Sequence, residues 1–330
     1  MQAATMPSVA SDPLLPSQQE VQPPSTAACH RWALWQELAD ELAPVLQDPL
    51  GCSGFLHDIR VAASQVMQLT RQDPDIGIFH MVHATDDKVH RYSVLHAMHV
   101  AMLMALVGLR KDWGDARTLS GVQAALTMNL SITELQTELA LQTSPLTDAQ
   151  QAAIHAHPLA SWQMLRQLGV TDEDWLIAVA QHHEQADGSG YPQGLNQPHQ
   201  LADALRTCDV FGAKISPRAG RTGLLTPRAA AEIFRQRSAG YFGATIIREL
   251  GLYPPGCLVA LYTGEQAVVV RRSVDPSAPD VVLLSDRQGA PLAELVRCRT
   301  TRACGRQIVG AAPRQDWARH LPPSEILMLA

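Results

Sequence analysis

The feature that most constrains this chain is a succession of apolar stretches at helical spacing through its middle. Tyr92 to Leu109, Ser120 to Met128, Thr133 to Gln142 and Thr147 to Leu168 each repeat apolar residues every three to four positions, as do Asp172 to His183, Leu201 to Ile215 and Pro227 to Arg237. That period puts the apolar side chains on one face of a helix. Thr147 followed by Gln150 reads as a capping box that opens a helix, and Gly169 as the residue that closes it. A mainly α fold follows, with a helical bundle over roughly 90–252.

The flanks read differently. Residues 1–28 are rich in Pro, Ser, Gln and Ala, and are expected to be a disordered leader. Over 29–89 the pattern is again helical, an N-terminal extension. Trp32, Trp35, Leu38, Leu42 and Leu46 mark one helix, whose length Pro44 and Pro49 should limit. Leu56, Ile59, Ala63, Val66 and Met67 form the inward face of a second, and a short third helix is expected near Asp75 to His83. After Pro254-Pro255-Gly256 the pattern shortens to β-prone runs at 257–262, 266–272 and 280–285. Residues 253–330 are therefore expected to be a small β-rich module with a ragged tail.

Composition narrows the class. The 330 residues are 46% hydrophobic and 18% charged, enough to bury a sizeable core. The net charge of -6 argues against a nucleic-acid partner, which would need a basic face. An anionic ligand must then be held by local donors or by a metal ion. Cys29, Cys52, Cys208, Cys257, Cys298 and Cys304 form no C-x-x-C pair and are expected to be reduced thiols. The longest apolar run, Val100 to Leu109, falls short of the ~20 residues of a membrane span. With no secretory signal at the N-terminus either, a soluble cytoplasmic protein is expected.

One segment carries chemistry: His182-His183-Glu184-Gln185-Ala186-Asp187-Gly188-Ser189-Gly190-Tyr191-Pro192. Adjacent histidines reach one metal only where a helix ends and its geometry relaxes. The glycines that follow let backbone bend close to a ligand. This segment resembles the signature of the HD-GYP family, a branch of the HD-domain phosphohydrolases. The resemblance covers about 90–252 and implies a helical domain, two or three iron or manganese ions, and hydrolysis of the bacterial messenger cyclic-di-GMP. By the same resemblance His96, His157 (in His157-Pro158), His182, His183 and Asp209 are the metal ligands. Gly190, Tyr191 and Pro192, with Arg218 and Arg221, would face the bound ligand. Gly220 stands where the family usually has a tyrosine before the second arginine. Glu184 and Asp187 are expected to hydrogen-bond the ligand histidines or to shape the turn.

The family's His-Asp pair and its lysine align with Met128, Asn129 and Ile132. A thioether suits soft metals, not the hard divalent ions of this family. An amide offers a single neutral oxygen where a bridging carboxylate is needed. His57-Asp58 precedes His96, whereas the family's pair follows that ligand, so it reads as a surface dipeptide. His96 and Asp209 alone would hold a second ion poorly. The expectation is one divalent ion (iron, manganese or zinc) in a cup of three histidines, or none, and no residue is assigned a catalytic role. Two-metal hydrolysis should be lost or severely weakened, leaving a protein that binds cyclic-di-GMP or a signalling partner. The alternative is an active phosphodiesterase with a reduced metal site. Self-association into a homodimer is left open. His99 and His155 are read as structural or surface residues.

Overall fold

The computed structural model describes residues 26–83, 86–219, 223–235, 240–313 and 321–330. Arg221, Gly220 and residues 1–25 of the expected leader lie outside them. The helices are α1 (Thr26–Gln47), α2 (Phe55–Gln72), α3 (Pro74–Val82), α4 (Tyr92–Arg110), α5 (Gly114–Thr127), α6 (Thr133–Leu141), α7 (Asp148–Gln167), α8 (Glu173–Gln181), α9 (Gln200–Ile215), α10 (Thr226–Arg235) and α11 (Gly240–Leu250). Strands β1 (Leu258–Leu261), β2 (Gln266–Arg271), β3 (Asp280–Ser285), β4 (Pro291–Arg299) and β5 (Ile308–Ala311) follow, then α12 (Pro323–Leu327).

Most of the helical bundle packs around α4. It is buried from Tyr92 through Gly108 because α1, α2, α5, α6, α9 and α11 all pack on it. A helix enclosed on every side needs apolar residues all round, not one stripe, and α4 has them. Among the described residues, Val89–Arg110 is the segment long and apolar enough by composition to cross a membrane, longer than the run read from the sequence. Its side chains are spent on the core of the bundle.

Three features of the flanks depart from expectation. α1 begins at Thr26, inside the stretch assigned to the leader, and Ala28 is fully buried. It also runs through Pro44 to Gln47, because a proline one turn from a helix end forfeits a single backbone bond. The tail is not ragged at its end: α12 returns against α1, with Ile326 and Leu327 fully buried.

The C-terminal sheet is antiparallel throughout, in the order β4-β3-β2-β1-β5. Strand period two sorts its side chains between two cores. Val268, Val270, Val282 and Leu284 point into the main helical core, while Ala267, Val269, Val281 and Leu283 build a separate small cluster with Cys257, Val259 and Cys298. The start of α3 ties the sheet down. Asp73 accepts from Arg31 of α1 at 3.1 Å and from Arg271, and Asp75 accepts from the backbone N–H of Arg272 at 3.1 Å and from its side chain.

Candidate metal centre

Two local devices orient the histidines. In α7 the side chain and backbone of Thr147 and Gln150 form a complete capping box, and His157 lies midway along the helix, ahead of Pro158. Proline lacks the N–H that would bond the carbonyl four residues back, which here is that of Ile154. The His157 side chain takes that place: Nδ1 lies 2.5 Å from the Ile154 carbonyl oxygen. His182 directly follows the last residue of α8, where the final carbonyls have no helical partner. Its Nδ1 lies 2.7 Å from the carbonyl oxygen of Val179.

Both imidazoles thus carry their proton on Nδ1, so both Nε2 atoms present lone pairs. Those Nε2 atoms lie 3.0 Å apart in a buried place. Neither can donate to the other, and unscreened lone pairs at that distance repel. A proton does not relieve this. Burial, with His182 beside it, pushes the His157 imidazole down to about 3. Burial likewise lowers His182, and holds His183 well below its ordinary value. His183 completes the group, its ring 4.2 Å from that of His182 and 4.9 Å from that of His157. Ligand atoms of all three lie within 4.8 Å of one another. A divalent ion about 2.0–2.1 Å from each imidazole nitrogen is what such a donor set fits.

The turn after these histidines is built to stay close to them. Glu184 is buried, and its two carboxylate oxygens accept the backbone N–H groups of Gln193 at 2.7 Å and Leu195 at 2.9 Å. Asp187 accepts from the backbone and hydroxyl of Ser189. Both acids therefore shape the turn, while backbone carbonyls orient His157 and His182. Gly190 passes so near Glu184 that a Cβ there would lie 2.4 Å from the Gln185 nitrogen. Tyr191, joined to Pro192 by a cis peptide, slides between two imidazoles, 4.6 Å from His183 and 4.5 Å from His155. Burial and the charge of Asp209 raise its hydroxyl pKa, so the phenol stays protonated.

The other half of the expected site is arranged differently. His96 Nε2 lies 2.7 Å from Asp209 Oδ1, so these two bond each other. Burial alone would raise the Asp209 carboxyl, but the His96 hydrogen bond and the nearby imidazoles outweigh it and hold it well below the usual carboxylate range. Among the described residues, His96 Nδ1 is buried without a hydrogen-bond partner. Met128 is fully buried in the apolar core. Asn129 is half-buried at the start of a short turn over Leu130–Ile132, and Ile132 is half-buried as well. Ser131 in that turn donates to the His157 carbonyl oxygen, so the segment runs directly beside α7. Arg218 donates to the Tyr92 hydroxyl.

Of the remaining side chains, Arg206 was not singled out from the sequence, and the others were given no ligand role there. His155 and His157 lie two apart, a spacing that shares no helix face, so only the loop's return brings His155 to Tyr191. Arg206, one turn before Asp209 on α9, donates to Gln185 Oε1 at 2.9 Å. His99 turns the other way, to His80 of α3 at 3.1 Å. His57 and Asp58 line a cleft of about 640 Å³ between α1 and α2, with Cys52 donating to Asp58.

The model of the HD-domain family matches residues 79–246, just over half of the chain. Over 238 residues the chain is 28% identical to the cyclic di-GMP phosphodiesterase PA4108 of Pseudomonas aeruginosa, covering 68% of this chain and 56% of that one. Over 142 residues it is 27% identical to the 3'3'-cGAMP-specific phosphodiesterase 3 of Vibrio cholerae, covering 42% of this chain and 31% of that one. The chain thus spans about half the length, or less, of the curated relatives it matches. Among solved structures, Bd1817, an HDG"Y"P protein from Bdellovibrio bacteriovorus, superposes with a TM-score of 0.51 over 66% of this chain and 68% of that one, at 15% identity. That likeness is one of fold.

Proposed function

The chain belongs to the HD-domain family, and we propose that it acts in cyclic-di-GMP signalling as a degenerate member that binds its ligand or a signalling partner without efficient hydrolysis. His157, His182 and His183 would hold one divalent ion. When bound, that ion would supply positive charge for a phosphate oxygen. The observation that carries this reading is the pair of converging Nε2 lone pairs, 3.0 Å apart, each fixed by a backbone carbonyl. Against two-metal hydrolysis stand Met128, sunk in the core, and the neutral amide of Asn129, which cannot bridge two cations. The named activities of the two curated relatives favour a cyclic dinucleotide as the ligand.

The residues left have separate tasks. Glu184 holds the loop that carries Gly190, Tyr191 and Pro192 against the cup. Tyr191 packs on His183 and limits the ways its ring can turn. Arg218 supplies a cation from the segment that follows α9, and Arg221 is assigned the same task from the sequence.

The test is an anaerobic preparation supplied in turn with ferrous, manganous and zinc ions, with His182→Ala as control. Calorimetric binding of cyclic-di-GMP that a chelator abolishes, with no hydrolysis under any metal, is the expected result. A second reading has the histidine set in its favour, since three histidines are also the donor set of a single-zinc site that activates water. Turnover that disappears in His182→Ala would establish that reading in place of the first.

A further inference from the structure

Tyr92 is 4% exposed and lies one helical turn before His96 on α4. Its ring stacks on the His96 imidazole, with centroids 5.6 Å apart and planes within 6° of parallel. Arg218 meets the same tyrosine from a distant part of the chain. Its Cζ lies over the Tyr92 ring, 4.9 Å from the centroid, and both Nε and Nη2 donate to the Tyr92 hydroxyl, at 3.1 Å and 2.6 Å. The backbone beside it is anchored too, since the N–H of Ala219 donates to the Ala140 carbonyl at 2.7 Å. Two donors on one oxygen fix the plane of a guanidinium. Of its five N–H groups, three then remain on the other edges, the fork that suits a phosphate.

We infer that Tyr92 is a positioning residue, which holds the Arg218 guanidinium as a fixed cation beside the His96–Asp209 pair to receive a phosphate of the bound ligand. This rests on the proposed reading that an anionic cyclic dinucleotide occupies the site. Such a ligand carries two phosphates, and an ion held by His157, His182 and His183 would meet one. At the other half, His96 and Asp209 bond each other, and the lysine position of the family is the apolar Ile132. Two cations approach this half: Arg206, one turn before Asp209 and bonded to Gln185, and Arg218, held on the Tyr92 ring that stacks on His96. A guanidinium pinned in advance also loses less freedom on binding than a mobile one.

The experiment is calorimetric titration of the metal-loaded full chain with cyclic-di-GMP, for wild type, Tyr92→Phe, Arg218→Ala, Arg218→Lys and the Tyr92→Phe/Arg218→Ala double variant. Tyr92→Phe keeps the ring on His96 and removes the hydroxyl that accepts from Arg218. It should weaken binding about 3- to 10-fold, the scale of one lost hydrogen bond. The double variant should bind no more weakly than Arg218→Ala, because the tyrosine acts through the arginine. Arg218→Lys, which keeps the charge and loses the planar fork, should not restore binding. Tyr92→Phe binding as wild type does, or losses that add in the double variant, would overturn the inference while leaving the ligand assignment in place. A folded, metal-loaded wild type that binds no cyclic-di-GMP would instead remove the ligand reading itself, and this inference with it.

Discussion

Replacing His157 by Gln should blunt the acid sensitivity of the metal-free protein by an amount the structure sets. His157 is 2% exposed, and burial with His182 beside it pushes its imidazole down to about 3. In the unfolded chain the same group titrates near its ordinary value of about 6.5. Above that value neither state binds a proton, and the contribution to stability is complete. Below it the unfolded chain takes up a proton that the folded one refuses, so stability falls with falling pH until about 3. At about pH 5 the loss is RT ln(1 + 10^1.5), or about 2 kcal/mol, and any folded value well below 5 gives the same figure. Urea unfolding with a chelator present, at about pH 7.5 and about pH 5, measures it. Glutamine cannot take the proton, so the stability difference between the two pH values should be smaller in His157→Gln by about 2 kcal/mol. His182 and His183 act in the same direction and remain in both proteins. Equal pH dependence in wild type and variant would show that His157 is not held neutral, and the converging lone pairs would lose their force.

Two further outcomes follow from the same geometry. Met128→His with Asn129→Asp should raise the divalent ion bound per chain, measured by elemental analysis, from about one to about two, while costing roughly 1–3 kcal/mol because position 128 is fully buried among apolar side chains. Unchanged metal content would mean that more than these side chains has been lost. Gly190→Ala should lower the thermal midpoint by the equivalent of about 1–3 kcal/mol, since its Cβ would press on the backbone of Glu184 and Gln185. An unshifted midpoint would show that the turn can move aside freely.

Much of this was legible because its causes are local. His157 entered only through the family resemblance, and the structure adds the local reason its tautomer is fixed: Pro158 frees the Ile154 carbonyl that then accepts from it. His182 works in the same way from the end of α8. The apolar period announced the helices, but that α4 would be enclosed on nearly every side came only from the packing. Pro44 misled, because a proline near a helix end costs one bond and packing of α1 outweighs it. The tail misled because five residues of helix carry too short a period to recognise, yet suffice to bury Ile326 and Leu327. His155 was read as a structural or surface residue and Tyr92 only as the start of an apolar stretch, since neither belongs to a recognisable ligand spacing.

By itself the sequence marked most of the helical segments and the side chains that can offer imidazole nitrogen, while the reading of Met128 and Asn129 rests on the family resemblance. Those marks depend on residues a turn apart or less. Only the tertiary structure decided that His157 meets His182 across 25 residues, that His96 meets Asp209 across 113, and that Arg218 settles on Tyr92 across 126. Those meetings depend on how α4, α7, α8 and α9 pack. Burial in that packing, which no local pattern encodes, keeps the Nε2 atoms of His157 and His182 unprotonated.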